Sequence, residues 1–377
     1  MADNENQDMR AFRPEVPQSF IDFLVADPPP PPALTAEQIE AQRAFAETCK
    51  PATKATKPAP ELRRVPGENL NCVLDIDELS YFADPCDEPS LSAHIAHAMV
   101  SQSPLHAHHF HPRLGGHQRE PSSEKDNGTL AHALLLGKGM DRIEVVCATE
   151  DIYTGTGAKR KLRLVAGEAF PDWKLKAAQD ARDAAREAGR VPLLQRDVDR
   201  AREAADIMRG RLLEFDARAL EGDKEVSIFW VAYATDGTPV QCRGRIDILD
   251  GWTVRDPKTC RSAHPKALQR QIEAYGYDVQ AAAYVQAVET VFPKSAGRAR
   301  FEWLFLESSA PYPVTPVRFG GSMRSRGEAR WQQAVDTWAI CMRTGHWPQY
   351  VDQMITIEAS PWGMDPVDVT EEDEEQR

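Results

Sequence analysis

Two aspartates and a lysine are the side chains of this sequence whose types and spacing best suit joint chemistry. Asp247, Asp256 and Lys258 lie in one stretch, and the dipeptide Asp250-Gly251 stands between the two aspartates. Asp-Gly between two runs of β-forming residues is typical of a two-residue hairpin turn. Because side chains alternate between the two faces of a strand, such a hairpin places Asp247, Asp256 and Lys258 on one face.

The register that follows from this turn brings the two carboxylates together. With that dipeptide as the loop, Arg245 faces Asp256. Asp247 and Asp256 become diagonal neighbours, about 7–8 Å apart at the backbone, with side chains able to converge. Two carboxylates and one ammonium on a single surface suit a Mg²⁺-dependent phosphodiesterase, because the carboxylates hold the cation and the lysine orients a water. The same residues also fit an ordinary ion pair between Arg245 and Asp256, with Lys258 as a solvated strand end.

Length and composition limit the class of protein. The chain has 377 residues, enough for one large domain or two smaller ones. No run approaches the roughly 18 consecutive apolar residues of a membrane span, and the N-terminus lacks the basic and apolar regions of a signal peptide. The seven cysteines include no Cys-x-x-Cys pair. We therefore expect a reduced, cytoplasmic protein without a disulfide framework, a zinc ribbon or an iron–sulfur cluster.

The charge of the chain is unevenly distributed. The net charge of −13 argues against a protein that binds nucleic acid, because phosphates attract cations. However, residues 365–375 are dense in acid, while residues 159–211 are rich in Lys and Arg. The local field at a site matters more than the total charge, so composition alone does not exclude a nucleic-acid substrate.

Changes of composition divide the chain into four parts. Residues 1–66 are rich in Pro, Lys and Ala and predict a disordered region with one short helix at residues 35–50. Residues 67–127 predict an N-terminal helical part, and residues 128–350 predict the core. Residues 351–377 predict an acidic tail, either a partner segment or a solubilising one.

Hydrophobic periodicity predicts helices before and after a block of strands. The predicted helices cover residues 92–101, 127–136, 170–189, 197–215, 264–291 and 328–344. The predicted strands cover residues 225–234, 239–249, 252–258 and 300–306. The core order is therefore helix, three-stranded meander, helix and strand, with no internal repeat.

Three further side chains on predicted helices could extend the site. His132 lies on a largely apolar helix, as a satisfied core histidine or as a further metal ligand, and imidazole suits Mn²⁺ better than Mg²⁺. Gln280 and Tyr284 are one turn apart on one helix face. They belong to an ordinary amphipathic helix, or they lean over the site in contact with the lysine or the substrate.

Other patterns indicate chemistry more weakly. Seven histidines between residues 94 and 117 make a zinc site conceivable, but no Cys or Glu there shows ligand spacing. Residues 154–159 lack the G-x-x-x-x-G-K-[ST] spacing of a phosphate loop and predict a plain loop. Paired carboxylates also serve glycoside hydrolysis, but a lysine two residues after the second carboxylate fits that chemistry poorly.

Together these residues resemble the PD-(D/E)xK nuclease superfamily. Its core is helix, three strands, helix and strand, with a carboxylate on the second strand, here Asp247. It has D/E-x-K on the third strand, here Asp256-Pro257-Lys258. Ile246 stands where the superfamily pattern has proline. The pair of Gln280 and Tyr284 is similar to the Q-x-x-x-Y motif of the RecB-type branch.

A closer resemblance is to the exonuclease VIII (RecE-type) recombination exonucleases of phages and prophages. It covers about residues 88–350, and the order and spacing of short segments carry it. These segments are residues 89–94 with 103–107, residues 128–132, residues 244–247 with 256–259, and residues 343–350. In that family the helix histidine, both aspartates and the lysine form the active site. The resemblance therefore implies an active site of His132, Asp247, Asp256 and Lys258, with the carbonyl of Pro257 helping to bind metal.

The resemblance also implies a fold, an activity and partners. The fold is an α/β (α+β) restriction-endonuclease-like core, with a central mixed sheet flanked by helices and extra N-terminal helices. The activity is that of a Mg²⁺- or Mn²⁺-dependent exonuclease, which degrades one strand from double-stranded DNA ends to leave single strands for recombination and annealing. The implied partners are further copies of the chain in a ring and a single-strand-annealing protein, in the cytoplasm of a bacterial host. A related endonuclease or repair nuclease is the alternative, as is a non-catalytic DNA-binding member of the fold.

Overall fold

The computed structural model describes residues 71–117, 122–154 and 161–357. The disordered region and short helix expected within residues 1–66 lie outside these ranges. The same holds for residues 358–377 of the expected acidic tail.

The described chain contains both helices and strands, with two short 3₁₀ turns at Met140–Arg142 and Pro293–Ser295. The helices are α1 (Glu78–Phe82), α2 (Ala93–Ser101), α3 (Pro104–Phe110), α4 (Ser123–Leu136), α5 (Lys176–Glu187), α6 (Gln195–Phe215), α7 (Pro265–Tyr275), α8 (Tyr277–Val291) and α9 (Gly321–Thr344). The strands are β1 (Cys72–Leu74), β2 (Leu91–Ser92), β3 (Ile143–Val145), β4 (Ile152–Thr154), β5 (Lys161–Leu164), β6 (Val191–Leu193), β7 (Asp223–Tyr233), β8 (Pro239–Asp250), β9 (Thr253–Cys260), β10 (Arg300–Glu307) and β11 (Val314–Val317). None of the helices described has the length and apolar character needed to span a membrane.

The central sheet has seven strands, in the order β1-β7-β8-β9-β10-β11, with β2 added beside β8. β7, β8 and β9 form an antiparallel meander, and β10 runs parallel to β9 after the two helices α7 and α8. Two small ribbons, β3 with β6 and β4 with β5, lie apart from this sheet. The predicted mixed α/β core, with helices before the sheet, is confirmed.

Alternate residues of β10 show how the sheet divides the core into two layers. Trp303 and Phe305 are fully buried on the side of α7 and α8, whereas the leucine after each of them is buried against α4 and α6. Burying a side chain of this size contributes about 1.5–3 kcal/mol, which fixes β10 firmly between the layers. Asp256 and Lys258 are the parallel register partners of Trp303 and Phe305. Both therefore lie on the α7–α8 face.

One edge of β8 is shared by two strands that leave a gap between them. β7 pairs with β8 along almost the whole of β8. On the opposite edge, β2 pairs with β8 at Cys242 and Arg243, and β9 pairs with it from Ile248 to Asp250. Residues 244–247 of β8 therefore have no described strand beside them on that edge.

Tyr284 of α8 fills this gap. Its hydroxyl donates to the carbonyl oxygen of Arg245 at 3.1 Å and accepts from the N–H of the same residue at 3.3 Å. The ring requires Gly244 beneath it, because a Cβ at that position would lie 2.7 Å from the Cε1 atom of Tyr284. Tyr284 therefore satisfies both backbone groups of Arg245, which have no described strand beside them on that edge.

A buried ion network ties β2 to the first half of β8. The carboxylate of Asp84, which is 4% exposed, accepts hydrogen bonds from the N–H and hydroxyl of Ser90 at 2.8 and 2.6 Å. It also lies 3.3 Å from the guanidinium of Arg243 and 3.2 Å from Nε2 of His111. Burial acts to raise the pKa of Asp84, but these partners outweigh it and hold that pKa below its usual range. A charged carboxylate therefore holds β2 to β8 on one side of the gap.

The β8–β9 hairpin corrects the predicted register. Its loop consists of Gly251 and Trp252, not Asp250 and Gly251, because Asp250 pairs with Thr253. Gly251 has a φ of 59° at the first loop position, where a type II′ turn needs a positive φ. The register moves by two residues, and a shift of two keeps each side chain on its predicted face.

The helix boundaries also differ from the prediction. The helix predicted at residues 264–291 is two helices, because Gly276 adopts a φ of 68° between them, and a side chain there would collide with His97. α4 and α9 begin earlier than predicted, and α5 begins later. In α4 the hydroxyl of Ser122 accepts from the N–H of Lys125. This cap starts the helix on polar residues, which hydrophobic periodicity does not detect.

Tyr284→Phe removes only the hydroxyl that satisfies Arg245. We expect the free energy of unfolding to fall by about 1–3 kcal/mol, because two buried backbone groups lose their partner. Urea unfolding followed by circular dichroism measures the change. Tyr233→Phe is the matched control, since that side chain is 63% exposed. Equal stabilities of the two variants would contradict the role given to Tyr284.

Asp84→Asn leaves Arg243 buried without its carboxylate. The expected loss of stability is about 3–5 kcal/mol, and Asp183→Asn, on an exposed ion pair with Arg182, should leave stability unchanged. The depressed pKa adds a pH test. The contribution of Asp84 is complete above the ordinary value of 3.8 and is lost as pH falls through the lower folded-state pKa. Acid unfolding of the wild type should therefore include a component that Asp84→Asn lacks.

Candidate active site

The carboxylates of Asp247 and Asp256 meet in one cavity of about 970 Å³. Asp247 belongs to the unpaired stretch of β8, and Asp256 follows the last β9 residue that pairs with β8. The last pair of the β8–β9 register is Ile248 with Arg255, so the next position places Asp247 opposite Asp256. The predicted register had placed the two aspartates diagonally. The prediction that they share a face with Lys258 agrees with this geometry, since all three side chains line the cavity.

Asp256 is held by two neighbours on the same face. Its Oδ1 atom lies 2.6 Å from Nζ of Lys258, and its Oδ2 atom accepts a hydrogen bond of 2.7 Å from the side-chain amide of Gln280. Gln280 was predicted to contact the lysine or the substrate. In the structure its amide contacts the carboxylate of Asp256. Tyr284 lines the cavity as well, but its hydroxyl is engaged with the backbone of Arg245.

His132 reaches the cavity from α4. Its Nε2 atom lies 3.2 Å from Oδ1 of Asp247, and its Nδ1 atom lies 3.8 Å from Oε1 of Glu225. Of the two alternatives for His132, the structure favours a side chain in the site over a core histidine, because the ring faces two carboxylates. Its role as a metal ligand stays a prediction. With both nitrogens directed at carboxylates, His132 is placed to hold Asp247 in position.

Glu225 is a cavity residue that the sequence analysis missed. It stands opposite Asp247 in the β7–β8 register, but the ladder skips this pair, and Glu225 has a φ of 53°. A left-handed conformation at a residue other than glycine costs about 1–2 kcal/mol. An ion pair of 2.9 Å between Glu225 and Arg245 accompanies it. Counting outward from Asp236-Gly237 as a two-residue loop puts Glu225 opposite Ile248, one residue away from its observed place opposite Asp247, so the turn signal alone does not find it.

Burial and mutual repulsion determine the protonation of the site. Burial, and then the charge of Asp247, raise the pKa of Asp256 to about 7. Burial acts in the same direction on Asp247, but the charge of Lys258 and the hydrogen bond with His132 outweigh it and lower the pKa of Asp247. Burial would lower the pKa of Lys258, but the two aspartates raise it above its usual range. The site therefore holds a protonated lysine beside two carboxylates that compete for positive charge.

The donor set fits a hard divalent cation better than a closed zinc site. Among the residues described, no three His, Cys, Asp or Glu side chains form a complete metal-binding group. Mg²⁺ needs fewer protein ligands, because one or two carboxylates suffice when waters and substrate phosphates complete its coordination shell. Oδ2 of Asp247 is buried without a hydrogen-bond partner in the described structure. An unpartnered carboxylate oxygen facing a second carboxylate is where such a cation would be held.

Two other predicted metal contacts receive less support from the geometry. Pro257 is buried beside Leu304 of β10 and is not part of the cavity lining. In the histidine-rich stretch, the rings of His109 and His117 stack at 4.4 Å, and His111 is buried against Asp84. These histidines make contacts within the protein.

Comparison with known proteins places more than half of the chain in one family of domains. Residues 166–359, just over half of the chain, match the model of a family described as a PDDEXK-like domain of unknown function (DUF3799). The match includes both aspartates, Lys258, Gln280 and Tyr284, and leaves His132 outside. No curated protein matches the chain significantly in sequence.

A crystal structure from Eubacterium rectale, of a protein named as a candidate exonuclease, is among the solved structures that resemble this chain. The two share 11% sequence identity with a TM-score of 0.43, over 72% of this chain and 91% of that one. The family model supports the predicted PD-(D/E)xK superfamily. It does not distinguish the RecE type from other members. On the extent of its match, this chain belongs to the family of PDDEXK-like domains of unknown function, DUF3799.

Proposed function

We propose that this protein is a divalent-metal-dependent DNA exonuclease that degrades one strand from double-stranded ends and leaves a single strand for recombination and annealing. The observation that carries the proposal is the convergence of Asp247, Asp256 and Lys258 in one cavity. Membership of a PDDEXK-like family supports nuclease chemistry in general. The preference for DNA ends rests on the resemblance to the RecE-type exonucleases.

Asp247 and Asp256 would hold Mg²⁺ or Mn²⁺ through their carboxylate oxygens. The cation, when bound, supplies polarisation of the scissile phosphate and stabilisation of the leaving oxygen. His132 and Gln280 each fix one carboxylate from outside the sheet, at 3.2 and 2.7 Å. Neither carboxylate therefore has to be ordered when substrate arrives.

Lys258 is the side chain placed to act on water and phosphate. Its side chain is 28% exposed and lines the cavity, while its ammonium contacts Asp256. Because both aspartates raise its pKa, Lys258 stays protonated at neutral pH and acts as a hydrogen-bond donor, not as a base. A donor in this position orients the attacking water and steadies negative charge on the phosphate oxygens.

The proposed assembly follows from the same resemblance. We propose a ring-like homo-oligomer, a single-strand-annealing partner and the cytoplasm of a phage-bearing bacterium as its setting. Mass photometry at working concentration tests the ring, and a monomer would count against it.

Asp256→Asn removes the charge of one carboxylate and keeps its shape. We expect hydrolysis of linear duplex DNA with Mn²⁺ to fall by at least about 100-fold, because a metal ligand is lost. Calorimetric titration should show weaker Mn²⁺ binding. Asp236→Asn, on an exposed turn outside the cavity, is the control and should keep full activity. Thermal unfolding of both variants separates lost chemistry from lost folding, and full activity of Asp256→Asn would refute the assignment.

Circular DNA separates an exonuclease from a related endonuclease. With Mn²⁺, the protein should degrade end-labelled linear duplex DNA and leave a covalently closed circle of the same sequence intact. Cutting of the circle at a comparable rate would replace the exonuclease proposal with the endonuclease alternative. If the protein binds Mn²⁺ but cleaves neither substrate, both the exonuclease proposal and the endonuclease alternative are excluded. If it neither cleaves DNA nor binds Mn²⁺, a non-catalytic member of the fold is favoured.

A further inference from the structure

A second cavity adjoins the candidate active site. It has a volume of about 910 Å³ and lies between α4, α6, α7 and the end of β9. The two cavities share three wall residues: Gly128 of α4, and Tyr275 and Tyr277 at the junction of α7 and α8. A chain-like substrate that enters one cavity can therefore continue into the other past these three residues.

Three arginines give the second cavity a positive charge. Arg200 of α6, Arg261 after β9 and Arg270 of α7 line it, and all three are exposed. Within the described ranges no ion pair or hydrogen bond from their guanidinium groups is found. The acidic side chain in the same wall, Asp197, lies 3.6 Å from Arg196 and so has a cationic partner of its own.

Arg200 differs from two other arginines of α6 in having no acidic partner in the described structure. Arg202 lies 3.9 Å from Asp199, and Arg209 lies 2.9 Å from Asp206, so each has an acidic partner one turn away. Arg200 lacks such a partner in the described structure and points to the cavity. Unneutralised guanidinium groups in a recess favour binding of phosphate oxygens.

An exposed aromatic ring stands at the boundary between the cavities. Tyr275 is 62% exposed, and its ring lies 5.8 Å from that of Tyr277 at an angle of 30°. Tyr277 in turn stacks on Trp303 at 4.6 Å. A ring that is open on one side and supported on the other is a platform for an unpaired base, whereas bases in a duplex already stack on each other.

We propose that the second cavity binds the phosphate backbone of single-stranded nucleic acid that extends from the active-site cavity, with one base stacked on Tyr275. The three arginines contact successive phosphates, and the small residues of the wall, such as Ala131 and Ala204, leave room for the strand. This inference rests on the proposed nuclease function, because it assigns the path of the strand beside the site of cleavage.

The test measures binding apart from cleavage. Fluorescence anisotropy with a labelled oligothymidylate of about 20 nucleotides, in EDTA, compares the wild type with the triple variant Arg200→Gln, Arg261→Gln, Arg270→Gln. We expect binding to weaken by about tenfold or more. The slope of log affinity against log salt should fall by about two, since each phosphate contact on a single strand contributes about 0.7. A control triple variant removes the same charge from arginines outside both cavities: Arg182→Gln, Arg190→Gln, Arg202→Gln.

Tyr275→Ala and Tyr275→Phe test the stacking platform. The alanine variant should bind the oligonucleotide about fivefold more weakly or worse, and the phenylalanine variant should bind like the wild type. Equal binding by all three proteins would overturn the assignment of Tyr275.

A small phosphodiester distinguishes failure of this inference from failure of the proposed function. Hydrolysis of bis(p-nitrophenyl) phosphate with Mn²⁺ needs only the active-site cavity. The arginine triple variant should retain it, whereas Asp256→Asn should lose it and still bind the oligonucleotide. Wild-type oligonucleotide binding by the arginine variant, or equal weakening in the control triple variant, would overturn the phosphate site. An equal loss of affinity for blunt duplex DNA would overturn its assignment to single strands.

Discussion

The separation of β8 from β9 beyond their short hairpin is the constraint on which this molecule depends. Two strands that part inside a sheet leave backbone N–H and C=O groups without partners, and burying such groups is costly. Helix α8 resolves this cost, since the hydroxyl of Tyr284 bonds both groups of Arg245 and the absence of a side chain at Gly244 lets the ring approach. One turn earlier on the same helix, Gln280 bonds Asp256. One face of α8 therefore keeps the strands apart and also orients the carboxylate of Asp256 between them.

The same opening explains the electrostatics of the cavity. The two carboxylates face each other in the cavity, where Asp256 is buried and Asp247 is half-buried. Their repulsion is balanced by Lys258 on one side and His132 on the other. Such an arrangement stabilises the fold poorly, because burial penalises each charge. It is instead a site prepared for positive charge, and the overall charge of −13 gives no indication of it.

The elements with long hydrophobic patterns could be predicted from the sequence, and the local exceptions could not. The meander and β10 were predicted because their strands are long and alternate clearly, and a two-residue error in the hairpin loop left Asp247 and Asp256 on the predicted face. The strands β1 to β6 and β11 have two to four residues, too few to show a period. Their pairing is decided by tertiary contacts.

The residues of the candidate site, like the elements of the fold, could be predicted only in part from the sequence. The motif itself marks Asp256 and Lys258, but the contact between Gln280 and Asp256 depends on the angle at which α8 crosses the sheet. Glu225 was missed because it is the first residue of a predicted strand, and its place opposite Asp247 depends on the length of the β7–β8 turn and on a local positive φ, neither of which the strand pattern reveals. The break at Gly276 was missed because the apolar stripe continues across both helices, and the positive φ and the close approach of His97 that require a glycine there are tertiary features.

The pairing of β2 with β8 has a consequence for how the chain is made. Ser90 and Arg243 bond to each other across 153 positions of sequence, so the N-terminal part leaves the ribosome long before its partner strand exists. Until then, the buried charge of Asp84 lacks the guanidinium of Arg243, and α2 lacks the helices α8 and α9 against which it packs. Completion of the sheet therefore waits on the last third of translation. A fragment limited to residues 166–359 would present the bare edge of β8 to any other extended chain it meets.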